Sequence, residues 1–278
     1  MTRPRLSATR SAVIFTINAI GISWLCWLPL VAAQHGIGMV PPSLAPLLIV
    51  LGTFGPFFAA VGMVARTSGF RGLGAFLGQA FRWRVGIQWY AAAFLAPFLI
   101  RIVVLYVHIL KGGTVPDMSD TTRWLALPTT FLLVLLIGGP TGEEFGWRGF
   151  LLQRVQPVFG VLGASSTLWH LPLFFIPATA QSHLPFAIFA VRTVALSVIS
   201  TWLYNGTRRS LLFVLLFHAS LNTWPNTIYI LEAEGAVGPY LSTTIIYAGW
   251  ALQLLILGLL RGRGDRRQPA VANPEIAA

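Results

Sequence analysis

Long apolar segments separated by short basic or polar stretches make up most of the chain. A helix needs about 20 apolar residues to cross a hydrocarbon core about 30 Å thick, and eight segments reach or approach that length. Their approximate bounds are 11–33, 44–65, 87–110, 123–154, 158–176, 183–203, 211–231 and 240–260. The pattern therefore predicts an all-α integral membrane protein, a bundle of about eight transmembrane helices.

Two places interrupt this pattern. Residues 69–84 interleave arginine with phenylalanine and leucine, which is typical of a helix lying in the membrane interface; a basic loop is the alternative. Gly138-Gly139-Pro140 breaks the fourth apolar segment. Helix breakers at membrane depth are tolerated where protein or a water-filled cavity satisfies the freed backbone groups. This break therefore indicates a cavity.

Composition excludes several classes of protein. With 55% hydrophobic and only 10% charged residues, the chain could not fold in water without a very large exposed apolar surface. The net charge of +11 does not indicate nucleic-acid binding, because the basic residues lie in short clusters between the apolar segments. The single cysteine, Cys26, rules out a disulfide or a cysteine-based metal site within one chain.

The basic residues also predict an orientation. Cytoplasmic loops are enriched in lysine and arginine, and with eight spans all but four of the 19 lie on one side of the membrane. The exceptions are Lys111 and Arg123 on the other side, and Arg101 and Arg192 within spans. We therefore expect both termini in the cytoplasm, with the protein in the plasma membrane.

Few polar groups fall inside the predicted spans, and they form a candidate site. An ionisable group within the membrane is costly and is by default a functional residue. Glu143, His170 and His218 lie roughly 17, 18 and 10 Å from the cytoplasmic ends of their segments if each is an α-helix. Asn222 follows His218 by four residues, so the two side chains share one face of a helix. These three helices therefore bring polar groups to a similar depth.

The two adjacent carboxylates are not equivalent. Glu144 lies four residues before Arg148, so the two can form an ion pair on one helix face. Glu143 points about 100° away from Glu144. Glu144 and Arg148 are therefore predicted to support the site, and Glu143 is the freer base.

These motifs resemble a known family. The chain carries E-E-x-x-x-R from Glu143, a histidine before Leu-Pro at His170, and H-x-x-x-N from His218 to Asn222. In this order they resemble the CPBP or Abi family of intramembrane proteases, relatives of the type II CAAX prenyl endopeptidase. The resemblance covers about residues 125–222. One departure is Ser166, where the family usually has an aromatic residue.

The resemblance implies roles for these residues. Glu143 and His170 would activate a water for attack on a peptide carbonyl, and His218 and Asn222 would stabilise the oxyanion. The implied partners are a peptide or protein substrate, lipidated or not, and membrane lipid, with no nucleic acid. The implied organisation is a cytoplasmic N-terminus (1–10), N-terminal transmembrane helices with the interfacial segment (11–122), a catalytic helical core (123–231), a last transmembrane helix (232–260) and a cytoplasmic tail (261–278).

The cofactor is left open between none and a single zinc. Glu143, His170 and His218 form a two-histidine, one-carboxylate set, which suits a catalytic zinc. We expect no tightly bound metal, because Asn222 beside His218 suits an oxyanion donor better than a zinc partner.

Two other functions remain as alternatives. The resemblance also allows a non-catalytic membrane protein of bacteriocin-immunity or scaffold type. Ionisable groups in broken helices also mark transporters, although transporters usually contain internal repeats and this chain shows none. For Arg101 and Arg192, structural pairing, snorkelling to the interface and binding of a peptide carboxylate are all open.

Overall fold

The computed structural model describes residues 7–38, 40–115, 117, 119, 121–159, 166–228 and 237–265. All regular structure in these ranges is helical. The α-helices are α1 Ala8–Gln34, α2 Ala45–Thr53, α3 Gly55–Leu77, α4 Ile87–Tyr90, α5 Ala96–Leu110, α6 Thr121–Ile137, α7 Pro140–Glu144, α8 Leu152–Phe159, α9 Phe186–Gly206, α10 Leu211–Thr227 and α11 Val237–Asp265. Two π-helices, Ala91–Leu95 and Phe145–Leu151, join α4 to α5 and α7 to α8.

Five helical stretches in the described ranges are long and apolar enough to cross a membrane: Ala8–Gln34, Ile87–Leu110, Thr121–Gln156, Phe186–Gly206 and Val237–Gly258. A pair of helices over residues 42–81, bent by 46°, would make a sixth span. The prediction of an all-α membrane protein is confirmed. The number of eight spans stays a prediction.

The predicted fifth and seventh spans differ from the structure in their described parts. Residues 160–165 of the fifth lie outside the described residues, and the part around His170 is a 3-10 helix, Thr167–Phe175. Pro172 lies within this helix and has no N–H to donate to a regular α-helix. The depth calculated for His170 from α-helical rise therefore does not apply. The seventh is observed as the shorter α10, and residues 229–231 lie outside the described residues.

The segment predicted as an interfacial helix or a basic loop is part helix and part loop, and its place in the membrane interface stays a prediction. Helix α3 extends to Leu77 with a kink at Gly69, where φ is 62°, and a 3-10 helix covers Gly78–Phe81. Residues 82–86 are not helical. The helical interpretation therefore holds up to residue 81, and the arginines at positions 82 and 84 lie in a loop.

Helix α10 lies in the centre of the bundle, where it contacts α5, α6, α7 and α9. Its buried side chains point in all directions; they include Leu211, Phe213, Val214, Phe217, Ala219 and Leu221. A helix that is apolar on all faces is expected to be enclosed by others. This central position carries His218 and Asn222 into the interior.

The helix that carries the carboxylates packs closely against the junction of α2 and α3. A Cβ atom at Gly142 would lie 2.6 Å from the carbonyl oxygen of Thr53, and one at Gly146 would lie 2.7 Å from that of Pro56. Small residues four apart allow membrane helices to approach at backbone distance. The two glycines therefore set how deeply the carboxylates are inserted.

Candidate active site

The break before the carboxylates restarts the helix at the site. Gly139 has a φ of 121°, a conformation that glycine adopts without steric cost. Pro140 follows in the first turn of α7, where its missing N–H costs nothing. The Glu143 N–H donates to the Gly139 carbonyl at 2.8 Å. Glu143 and Glu144 thus begin a new helix in the interior, with 9% and 2% of their surface exposed.

Glu144 is held from two sides. One carboxylate oxygen lies 3.1 Å from Nη1 of Arg148, which is the predicted ion pair. The other accepts a hydrogen bond from Nδ1 of His218 at 2.8 Å, a contact that the sequence analysis did not predict. Because Nδ1 of His218 carries the donated proton, the free ring nitrogen is Nε2. Glu144 therefore orients His218 as well as neutralising Arg148.

Glu143 faces His170 across a wider gap. Its Oε2 lies 3.9 Å from Nε2 of His170, which is too long for a direct hydrogen bond. His170 donates from Nδ1 to the backbone carbonyl of Ser166 at 3.0 Å, so its Nε2 is left as an acceptor. Both groups can therefore contact the same water. The hydrogen bond from His170 uses only the backbone carbonyl of Ser166. It therefore does not depend on the aromatic side chain that the family usually has at this position.

A small space beside Gly139 joins the two halves of the site. A Cβ atom built on Gly139 would lie 3.1 Å from Oε1 of Glu143, 3.7 Å from Nδ2 of Asn222 and 3.8 Å from Nε2 of His218. Since glycine has no side chain, these three polar atoms border a small gap, in which a methyl group would crowd Oε1 of Glu143 but an oxygen atom would lie at hydrogen-bond distance from it. Such a space can admit a water or a substrate oxygen.

Two comparisons with known proteins include this region. Residues 124–224 match the family model described as type II CAAX prenyl endopeptidase Rce1-like. We call residues 124–224 the Rce1-like domain, after the family model that they match. It is also similar to CAAX prenyl protease 2 of Methanococcus maripaludis, with 22% identity over 191 residues, which cover 63% of this chain and 70% of that protein. The predicted family resemblance and the predicted class of intramembrane endopeptidase are confirmed.

The Rce1-like domain is braced by a helix that precedes it. The Trp169 ring packs edge-on against His170 at 4.6 Å, and Phe189 packs against the same imidazole at 4.9 Å. Trp169 donates from Nε1 to Oγ of Ser23 at 2.7 Å and accepts from Nε1 of Trp24 at 3.0 Å. These contacts between Trp169 and the first helix were not predicted from the sequence. Their only visible indication was Ser23, a polar residue inside the first apolar segment.

Arg101 and Arg192 make structural contacts outside the site of the Rce1-like domain. Arg101 donates from Nε and Nη2 to the carbonyl of Ile228 at 3.1 and 2.7 Å. The Arg192 guanidinium lies over the rings of Tyr240 and Tyr247, at 4.6 and 5.7 Å from their centroids. Of the three alternatives, structural pairing is the one with observed contacts.

Glu143, His170 and His218 of the Rce1-like domain are the side chains that would hold a zinc. Among the described residues, no three or more His, Cys, Asp and Glu side chains are arranged to hold one ion. Nε2 of His170 lies 3.9 Å from Oε2 of Glu143. The choice between none and a single zinc stays a prediction, which metal analysis and chelation would test.

Proposed function

We propose that this endopeptidase hydrolyses a peptide bond with a water activated by Glu143 and His170. The observation that supports the proposal is the space beside Gly139, bordered by a carboxylate from α7 and by an amide and an imidazole from α10. It combines a base with hydrogen-bond donors around one small volume, as acyl transfer to water requires.

The water is activated on the side of Glu143. The Glu143 carboxylate and Nε2 of His170 are both proton acceptors and face each other at 3.9 Å. As the water oxygen bonds to the carbonyl carbon, one of them takes its proton and then delivers it to the leaving amine when the C–N bond breaks. Such general acid–base catalysis contributes about 10²- to 10⁴-fold in rate.

The oxyanion is stabilised on the other side of the space. Nδ2 of Asn222 and Nε2 of His218 border it, and the Asn222 amide is a hydrogen-bond donor. His218 donates from Nε2 in its imidazolium form, whose positive charge the hydrogen-bonded Glu144 carboxylate stabilises. Donors fixed in a water-poor site stabilise a developing oxyanion by about 10² to 10³ in rate.

We further propose that the substrate is a peptide or protein that enters from the cytoplasmic leaflet of the plasma membrane, with both termini of the enzyme in the cytoplasm. The arginine bias of the sequence supports this orientation. The relative named CAAX prenyl protease 2 makes a lipidated substrate the first to compare. A cysteine at the exposed Arg71 in a Cys26→Ala background should react with an impermeant reagent only from the cytoplasmic side.

The central experiment measures peptide cleavage by purified protein in detergent, with products identified by mass spectrometry. Prenylated and unmodified forms of one peptide library are compared. Glu143→Gln should abolish cleavage, whereas Asp117→Asn, which removes one exposed carboxylate, should not. No cleavage by the wild type under any condition would overturn the proposal. Loss of activity on chelation, with recovery on zinc addition, would require a metal in the mechanism.

A further inference from the structure

A second cavity lies away from the candidate active site, at the arginine-rich end of the bundle. It has a volume of about 290 Å³ and is lined by three arginines, Arg82, Arg154 and Arg209, and by Gln79 and Gln153. No carboxylate lines it. The cavity therefore carries positive charge that no carboxylate in its lining neutralises.

The three arginines come from three separate elements. Arg82 follows the 3-10 helix Gly78–Phe81, Arg154 belongs to α8, and Arg209 lies between α9 and α10. Arg154 donates from Nη1 to the Phe150 carbonyl at 2.7 Å, and its guanidinium lies 3.4 Å from the centroid of the Phe150 ring. Since a guanidinium has five N–H donors, these contacts position Arg154 and leave donors for a ligand.

The polar floor of the cavity is built from neutral groups bonded to one another. Tyr204 donates its hydroxyl to Oε1 of Gln79 at 2.7 Å, and Gln153 donates from Nε2 to the Tyr204 oxygen at 2.8 Å. Gln79 is 7% exposed and also donates to the Phe76 carbonyl at 3.1 Å. Buried polar groups that satisfy one another make a rigid wall. The floor therefore stays fixed whether or not a ligand is bound.

The remaining walls are apolar and the mouth is open. Val64, Ala75 and Phe76 line one side, while Arg82 and Arg209 are exposed at the rim. Guanidinium groups match phosphate oxygens with paired N–H donors. Basic pockets between transmembrane helices bind anionic lipid headgroups, and apolar walls suit the glycerol and first acyl carbons. We propose that this cavity binds the phosphate of an anionic phospholipid headgroup.

The test uses the full-length protein, delipidated in detergent at 0.15 M salt. The probes are short-chain phosphatidylglycerol, phosphatidylcholine of the same chain length, and inorganic phosphate. Binding is measured by native mass spectrometry and by the increase in Tm. Phosphatidylglycerol should bind and raise Tm. Protection by inorganic phosphate alone would identify a free anion of the same chemistry as the ligand.

Charge-matched variants locate the binding. Arg154→Gln with Arg209→Gln should weaken phosphatidylglycerol binding at least about tenfold, because each arginine near an anionic headgroup contributes about fivefold. Arg71→Gln with Arg84→Gln removes the same charge from exposed positions outside the cavity and should change binding less than about twofold. If the double variant is unstable, phosphatidylglycerol binding is measured for Arg209→Gln alone. Equal weakening by both pairs, or no binding of any phosphate-bearing probe, would overturn the proposal.

Discussion

The two neighbouring carboxylates of the site have very different surroundings. Glu144 has a partner on each carboxylate oxygen, the Arg148 guanidinium at 3.1 Å on one and the His218 imidazole at 2.8 Å on the other. Glu143 has His170 at 3.9 Å and the space beside Gly139 next to it. The two adjacent glutamates therefore have different roles. Glu144 pairs with charged and polar groups of the protein, and Glu143 faces the space in which a reaction can occur.

The comparison shows how a charged site is tolerated inside an apolar bundle. The cost of a buried charge is reduced only where partners and hydrogen bonds surround it, and Glu144 has such partners. Because Glu144 holds both Arg148 and His218, the protein can leave Glu143 with fewer contacts. The following substitutions test whether Glu144 has a structural role and Glu143 a catalytic one.

Glu143→Gln should show the largest effect. It keeps the shape of the side chain but removes the proton acceptor, so cleavage should fall by about 10²- to 10⁴-fold. The Tm should stay close to that of the wild type, because no ion pair at hydrogen-bond distance is lost. Activity equal to that of the wild type would remove Glu143 from the mechanism.

Glu144→Gln should mainly affect stability. Removing one member of a buried ion pair leaves Arg148 without its countercharge, which costs about 3 to 5 kcal/mol of unfolding free energy. Tm and expression are the measurements. If Glu144→Gln unfolded no more readily than Glu143→Gln, the two carboxylates would not differ as their contacts indicate.

Asn222→Ala should lower kcat by about 10² to 10³ with little change in KM, as expected for loss of a donor to an oxyanion. Steady-state kinetics on the best peptide are the measurement. A change in KM alone would instead indicate that Asn222 binds the substrate in its ground state.

Gly139→Ala should lower activity about ten- to a hundredfold. A methyl group would occupy the space bordered by Glu143 and Asn222, and displacements of about 1 Å at a reacting centre can cost about 10²-fold. Gly138→Ala is not a suitable control, because its Cβ would meet backbone atoms of Val134. Gly112→Ala, at a φ of 85° and with nothing within 4 Å of its Cβ, controls for the backbone strain of alanine at a positive φ.

Ser166→Ala should have the smallest effect, less than about twofold in kcat/KM. The Ser166 carbonyl, not its hydroxyl, accepts the hydrogen bond from His170. A large loss of activity would show that the hydroxyl contributes to the site and that the departure from the family aromatic has a chemical consequence.

The sequence predicted the helical membrane bundle because length and apolar composition are sufficient for that inference. It also predicted the ion pair of Glu144 with Arg148, which depends only on helical spacing. The contact between Glu144 and His218 was not predicted, because it depends on how α10 and α7 are placed beside each other. Pattern alone could not supply that arrangement.

The missed features share this tertiary origin. The 3-10 geometry around His170 was hidden because an apolar segment containing one proline remains compatible with a kinked span. The brace from Ser23 to Trp169 joins residues 146 positions apart, and no local periodicity reports such a contact. Gly139 is predicted as part of a helix break, but its position beside Asn222 and His218 depends on how α7 and α10 pack against each other.

The π-helix Phe145–Leu151 has a consequence for how the chain can vary. A π-helix is equivalent to one residue inserted into an α-helix, and one residue corresponds to a rotation of about 100°. This segment therefore sets the rotational phase between Glu143 before it and Arg154 after it. Deleting one residue here would turn the arginine away from its cavity while leaving the carboxylates in place. An insertion or deletion in this segment therefore changes the orientation of the basic cavity relative to the catalytic space.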